Sequence, residues 1–325
     1  MKDFTISPVS DVIGAEVVGL DVSEPLDGET VATLRQVFQD HHLLCFRDQV
    51  LTDEQLTAFS TQFGPLEIYP EEDMTKGAIE VYHVANVSLE GEHLPDDDPR
   101  VVYQRNNGRW HTDSSYRYIP SLASIMYGIE VLPHNAEGGE TGFSNMLLAY
   151  ERLPAEIKAK LMHLHQVHSY GEIRRLEPSI PPMSDHERNA LPPVTHPVIR
   201  VHPDRDYQRS LYFTSNTSLE IGGMTHEEGK ELHGWLVDYV SNPDLCYSHR
   251  WRQNDLVMWD NRVLLHRAMQ YDLTKYRRVL RRTTVGGDAA RDGPLLAGSA
   301  RSGEVRRQLS GSDPLYLIVF RIADI

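Results

Sequence analysis

Asp255-Leu256-Val257-Met258-Trp259, continuing as Asp260-Asn261-Arg262-Val263-Leu264-Leu265-His266, is the stretch on which the fold turns. Its first five residues form a short, mostly apolar run, the signature of a buried strand. Asp260 and Asn261 then mark a turn that would aim His266 inward. Working outward, similar short runs recur between residues 109 and 287: Ser124-Ile125-Met126-Tyr127-Gly128-Ile129, Val198-Ile199-Arg200-Val201, Ser210-Leu211-Tyr212-Phe213 and Arg278-Val279-Leu280-Arg281-Arg282-Thr283. Two helices are expected among them, over residues 149–162 and 225–242. Many short strands with few helices predict a mainly β fold with flanking helices, a double-stranded β-helix or jelly-roll barrel. No internal repeat is visible.

Upstream, the first 65 residues read as a mixed α/β entry segment. Ala15-Glu16-Val17-Val18-Gly19-Leu20 predicts a strand. Residues 27–42 predict a helix, because Val31, Leu34, Val37 and Phe38 fall at helical spacing. His42-Leu43-Leu44-Cys45-Phe46-Arg47 is a short buried strand. Thr52 followed three residues later by Gln55 is a capping box, opening a helix that Gly64-Pro65 stops. Residues 66–108 are polar, rich in Glu, Asp and Pro, and weakly periodic. A loop of that length is usually functional, and this one runs into His111, so it is expected to be a lid. Residues 1–287 are expected to form one domain and 288–325 a tail of a different composition. The apolar run Leu315-Tyr316-Leu317-Ile318-Val319-Phe320 within it would serve as a docking strand or an oligomer contact, and a homo-oligomer is expected.

Composition narrows the function. The formal net charge of -15 argues against nucleic acid, whose phosphates demand Lys and Arg. No apolar run approaches the roughly 18 residues of a membrane helix, and the N-terminus lacks the apolar core of a signal peptide. Two cysteines, Cys45 and Cys246, make no disulfide framework. A cytoplasmic location is expected.

The chemistry begins with His111 and Asp113. On an extended strand, residues two apart point to one face, so the imidazole and the carboxylate can reach one ion. By itself a His-x-Asp is weak evidence, since chance produces it often. With His266 it makes a 2-His-1-carboxylate set, which holds one face of a non-haem Fe(II) and leaves the other open. Arg278 and Arg282 are four apart and share a strand face. If that face is interior, each guanidinium needs an anion, and carboxylate is its natural bidentate partner. Arg277 and Arg281 would then face solvent. Other histidines carry the plainer reading: His163, His165 and His168 have no fitting carboxylate nearby in sequence, and His226 and His233 lack the spacing of a helical zinc site.

These blocks, Trp110-His111-Thr112-Asp113, Gly138-Gly139-Glu140-Thr141, Trp259-Asp260-Asn261-Arg262 through His266, and the paired arginines, resemble the TauD/TfdA family of Fe(II)/2-oxoglutarate-dependent dioxygenases from about residue 5 to 287. The resemblance implies that His111, Asp113 and His266 hold iron, that Thr141 and Arg278 hold the distal carboxylate of 2-oxoglutarate, and that Arg282 meets an acidic substrate. From His266 to the arginines this chain is one residue longer than the pattern. The assignment holds if the loop at 272–276 absorbs that residue, and otherwise passes to Arg277 and Arg281. The implied reaction consumes O2, releases CO2 and succinate, and hydroxylates a small carboxylate or sulfonate. Tyr69 and Asn107 are further candidates for substrate contact. The run His111-Thr112-Asp113-Ser114-Ser115-Tyr116 is more similar to the aryloxyalkanoate (2,4-D-type) branch than to the taurine branch. Hydroxylation beside an ether oxygen there gives a hemiacetal that collapses to a phenol and an oxo acid. The competing readings are a sulfonate or sulfate-ester dioxygenase, a zinc hydrolase on the same ligands, and a non-catalytic barrel that binds a small acid.

Overall fold

The computed structural model describes residues 4–68, 80–205, 208–289 and 292. Its strands are β1 (Thr5–Pro8), β2 (Ala15–Val18), β3 (Leu43–Phe46), β4 (Tyr82–Ala85), β5 (Ala123–Glu130), β6 (Thr141–Asn145), β7 (His165–His168), β8 (Val194–Pro197), β9 (Ile199–Val201), β10 (Arg209–Leu211), β11 (Cys246–His249), β12 (Leu256–Asp260), β13 (Leu264–Ala268) and β14 (Val279–Val285). The helices are α1 (Gly28–His41), α2 (Asp53–Thr61), α3 (Pro99–Asn106), α4 (Met146–Arg152), α5 (Ala155–Leu161), α6 (Tyr170–Leu176), α7 (Asp185–Ala190) and α8 (His226–Val240).

A seven-stranded mixed sheet runs β1-β2-β3-β12-β5-β14-β4, and β11-β6-β13 form a three-stranded sheet. The two faces of the large sheet follow from strand alternation. Leu44, Phe46, Ile125, Tyr127, Leu256 and Met258 pack with Leu34, Phe38, Leu56 and Phe59 of α1 and α2. The alternate residues Leu43, Cys45, Met126, Val257, Trp259 and Leu280 pack with Phe143 and Leu264 of the smaller sheet. The two sheets thus share a core, and the candidate site residues of β13 and β14 lie at its edge. A further core joins α4, α5 and α8 to β9 and β10, with Trp110 and Leu265 among its members.

The entry segment follows the sequence closely. Asp27 caps α1, and Thr52 with Gln55 forms the full capping box of α2. Three expectations need correction. The helix predicted over 149–162 is two helices, because Leu153, preceding Pro154, is extended at ψ 140. Helices α3, α6 and α7 went unforeseen; they run 8, 7 and 6 residues, too short for helical periodicity to show, and α7 has no buried residue. The 66–108 stretch is also not wholly irregular where it is described. Its β4 pairs with β14 along Tyr82↔Arg282, and α3 starts at Pro99 on an Asp98 cap. No helix of the described residues is long and apolar enough to cross a membrane.

Candidate metal and co-substrate site

Backbone pairing brings the two histidine blocks together. His111 N donates to His266 O at 3.0 Å and His266 N to His111 O at 2.7 Å. The two rings lie 4.1 Å apart, centroid to centroid. Asp113 joins them, and one ligand atom from each of the three residues falls within 4.8 Å of the others. All three are buried.

Two of the three side chains are oriented by hydrogen bonds, whereas His266 Nδ1 has no partner among the described residues. His111 Nδ1 donates to Arg109 O at 2.8 Å, which leaves the Nε2 lone pair free for a cation. Asp113 Oδ2 accepts from Ser124 Oγ at 2.6 Å, and Asn261 Nδ2 donates to Ser124 Oγ at 3.0 Å and to Ser121 Oγ at 2.9 Å. Asn261 is fixed in turn by Trp259 Nε1, 3.0 Å from its Oδ1, while its carbonyl accepts from Thr112 Oγ1 at 2.6 Å. The Trp259-Asp260-Asn261 run therefore braces the His111-Thr112-Asp113 run directly. Next to it, Asp260 anchors Arg262 and lies 3.5 Å from His202 Nε2.

Electrostatics leave these three groups in metal-binding form. Burial holds His111 and His266 below the ordinary imidazole range, so both are neutral. Burial opposes the Asp113 charge, yet the Arg282 guanidinium and the two imidazoles hold its carboxyl below the usual range. His266 Nε2 stands 3.6 Å from Asp113 Oδ2, too far for a hydrogen bond but close for two ligands of one ion. Two neutral imidazoles and one carboxylate suit Fe(II).

Arg278 and Arg282 face inward and Arg277 and Arg281 outward. Arg282 Nη1 donates to Asp113 Oδ1 at 2.8 Å. Arg277 pairs with Glu130 at 3.1 Å and Arg281 with Asp53 at 2.5 Å, both nearer solvent. The loop before Arg278 is stitched by buried Asn86, whose Nδ2 donates to Leu273 O and Tyr276 O and whose Oδ1 accepts from Arg278 N. Arg278 is 5% exposed, and no side-chain hydrogen bond or ion pair holds its guanidinium among the described residues. Burial lowers its pKa. An interior cation in that condition fits a bound carboxylate.

Two adjoining cavities open here. The larger, about 290 Å³, is lined by His111, Asp113 and Arg282 and by Tyr82, Tyr103, Tyr116 and Tyr170. The smaller, about 200 Å³, holds Arg278 and Tyr271. Asn107 lines both, at the seam. Thr141 is buried at the start of β6, paired with Ala268 of β13, and its Oγ1 accepts from Trp251 Nε1 at 3.0 Å. Tyr69 lies outside the described residues.

A second cluster, Cys45, His249 and Asp255, has similar spacing. Its carboxylate is already engaged: Asp255 Oδ2 accepts from Arg47 at 2.5 Å, His249 at 3.1 Å and Arg252 N at 2.8 Å. Burial pushes the Cys45 thiol up to about 12. With a guanidinium in contact and the thiol protonated, this is a buried charge network.

The family described as taurine catabolism dioxygenase TauD, TfdA family, matches residues 5–284. The chain belongs to the TauD/TfdA family. It is a non-haem iron dioxygenase that uses Fe(II), O2 and 2-oxoglutarate. It is 33% identical over 288 residues to the alpha-ketoglutarate-dependent 2,4-dichlorophenoxyacetate dioxygenase of Cupriavidus pinatubonensis, covering 87% of this chain and 98% of that one. It is 30% identical over 299 residues to the (S)-phenoxypropionate/alpha-ketoglutarate-dioxygenase of Sphingobium herbicidovorans, covering 90% and 98%. The crystal structure of AAD-2 in complex with Mn(II) and N-oxalylglycine superposes with a TM-score of 0.78 at 31% identity, covering 90% of this chain and 99% of that one.

Against this family frame, sequence reading passed over Ser124, Asn86, Tyr103, Tyr170 and Tyr271. Ser124 lies in the quoted β5 run and Asn86 in the polar stretch, but nothing local marks either as a partner of a residue far along the chain. The tyrosines gave no signal, since each is one of 15.

Proposed function

We propose that the chain oxidises a small aromatic acid of the aryloxyalkanoate class, with iron on His111, Asp113 and His266. Hydroxylation of the carbon beside the ether oxygen gives a hemiacetal that collapses to a phenol and an oxo acid. The observation that carries this reading is the larger cavity, where His111 and Asp113 of the donor set, the Arg282 guanidinium and four tyrosines meet. Iron with 2-oxoglutarate and O2 supplies the oxidising power, converting 2-oxoglutarate to succinate and CO2 as one oxygen atom goes to the substrate.

The chain's own residues do the positioning. Arg278 and Thr141 hold the distal carboxylate of 2-oxoglutarate, and Arg282 holds the acid of the substrate. Arg282 also contacts Asp113, so a substrate carboxylate on Arg282 shares or takes over that contact. Tyr103, Tyr116 and Tyr170 offer aromatic faces to a ring. Tyr103 Oη donates to Tyr170 Oη at 2.6 Å, and the Tyr116 and Tyr170 rings lie 5.0 Å apart, so this wall is preorganised and apolar in its bulk. Asn107 and Tyr69 contact substrate from the side of the 66–108 stretch, which excludes water. In this reading the sheets close as a jelly roll and the catalytic unit runs a little past residue 287, since buried Asp292 pairs with Arg262.

The test is an anaerobic titration of Fe(II)-loaded protein with 2-oxoglutarate, followed by turnover with phenoxyacetate, an alkyl sulfate and taurine. A charge-transfer band needing both metal and 2-oxo acid is expected, then succinate and phenol in equal amounts from phenoxyacetate. Turnover of the sulfate or taurine alone would sink the aryloxy assignment. Absence of the band would remove the co-substrate assignment as well.

A further inference from the structure

The smaller cavity carries a donor that the scheme above leaves unused. Tyr271 lies in the connection from β13 to β14, and it lines this cavity with Arg278. Its ring is half-buried, but its hydroxyl is sealed from solvent and has no hydrogen-bond partner among the described residues. Arg278 Nε is in the same condition. Both donors face one small cavity, and a buried donor without a partner is satisfied when an acceptor enters there.

The position of Tyr271 is fixed by its backbone. Gly138, at φ 78, packs so closely that a Cβ there would lie 1.8 Å from Gln270 O and 3.2 Å from Tyr271 Cα. The Gly138-Gly139 turn therefore clamps the 270–271 backbone against the strand that begins at Thr141. Burial pushes the phenol up to about 12, so at neutral pH the group is an O–H donor. Tyr271 and Arg278 are close enough to act on each other electrostatically. One neutral and one cationic donor facing one small cavity match a carboxylate, which only accepts.

We infer that Tyr271 is a co-substrate-binding residue of this chain, its hydroxyl donating to the distal carboxylate of 2-oxoglutarate beside Arg278. The inference rests on the proposed placement of 2-oxoglutarate on Arg278. It adds a donor from the loop that is one residue longer than the family pattern.

Binding to the Mn(II)-loaded protein, which is redox-inert, provides the test by calorimetry. N-oxalylglycine carries a distal carboxylate, and 2-oxopentanoate presents the same 2-oxo acid head without one. Tyr271→Phe keeps the ring and its packing. A hydrogen bond to a charged group is at stake, so N-oxalylglycine should bind about tenfold or more weakly to the variant, with 2-oxopentanoate unchanged. If both ligands weaken equally, or neither does, Tyr271 makes no contact with the distal carboxylate and the inference is wrong. If wild-type protein shows no preference for N-oxalylglycine over 2-oxopentanoate, the placement on Arg278 fails first, and the inference with it.

Discussion

Replacing Ser124 with Ala should weaken metal binding from a position that touches no metal. Ser124 is fully buried on β5, and its hydroxyl gives Asp113 Oδ2 a hydrogen bond at 2.6 Å. The other Asp113 oxygen is held by Arg282, so Ser124 is the contact that fixes the carboxylate from the core side. Two quantities follow. The lost bond is to a charged acceptor, worth about 1.5–3 kcal/mol. Asn261 Nδ2 keeps Ser121 as the acceptor of one N–H and loses Ser124 as the acceptor of the other, which adds to the cost of the deletion. Partners that orient metal ligands typically change affinity by about 10–100-fold, and 1.5–3 kcal/mol corresponds to roughly the same range. The assay is competitive Mn(II) titration of the apoprotein, with N-oxalylglycine affinity measured at saturating metal. Metal affinity should fall at least tenfold while N-oxalylglycine affinity at saturation stays within about threefold. An unchanged metal affinity in a folded variant would refute the reasoning, because Asp113 would then not need this brace.

Two further outcomes follow from buried charge. Arg278→Met removes an interior cation that has no side-chain partner among the described residues, so the apoprotein should hold or gain stability in thermal melts. Its KM for 2-oxoglutarate should rise by about 100-fold or more, and a large loss of melting temperature would contradict the buried-cation argument. Glu67 is raised to about 7 by burial, against the opposing pull of Ser114 and Arg117. Its native form holds a proton that the unfolded chain releases near the usual value, so the contribution of Glu67 to stability falls as pH rises from about 4.5 to 7, while the buried neutral histidines contribute in the opposite sense. The loss is at most about 3 kcal/mol. Glu67→Gln should remove that contribution, so in chemical denaturation the variant should gain stability at pH 8 relative to pH 5 when compared with the wild type, and an unaltered difference would remove Glu67 as a source.

Much of the entry segment and the grouping of His111, Asp113 and His266 could be read directly. Local signals sufficed where the cause was local: the Thr52–Gln55 box and the spacing of Leu34 and Phe38 each act within a few residues. The facing of the arginines was also legible, with Arg278 and Arg282 inward and Arg277 and Arg281 outward, although β14 begins only at Val279 and Arg277 and Arg278 precede it. Helices of two turns escaped, and the break at Pro154 was overlooked although Pro is a local signal. The stretch at 66–108 was misjudged because β4 is a strand only by pairing with β14, and no periodicity inside Tyr82–Ala85 announces that partner.

By itself the sequence determined which side chains this protein offers to a metal and to two acids, because residue type and spacing carry that chemistry. Tertiary structure alone decided how they meet. The backbone bonds between His111 and His266 join residues far apart in the chain, as does the path from Trp259 through Asn261 and Ser124 to Asp113. The unpaired state of Arg278 and Tyr271 is likewise a property of the folded interior, since a donor becomes an orphan only when packing removes its water.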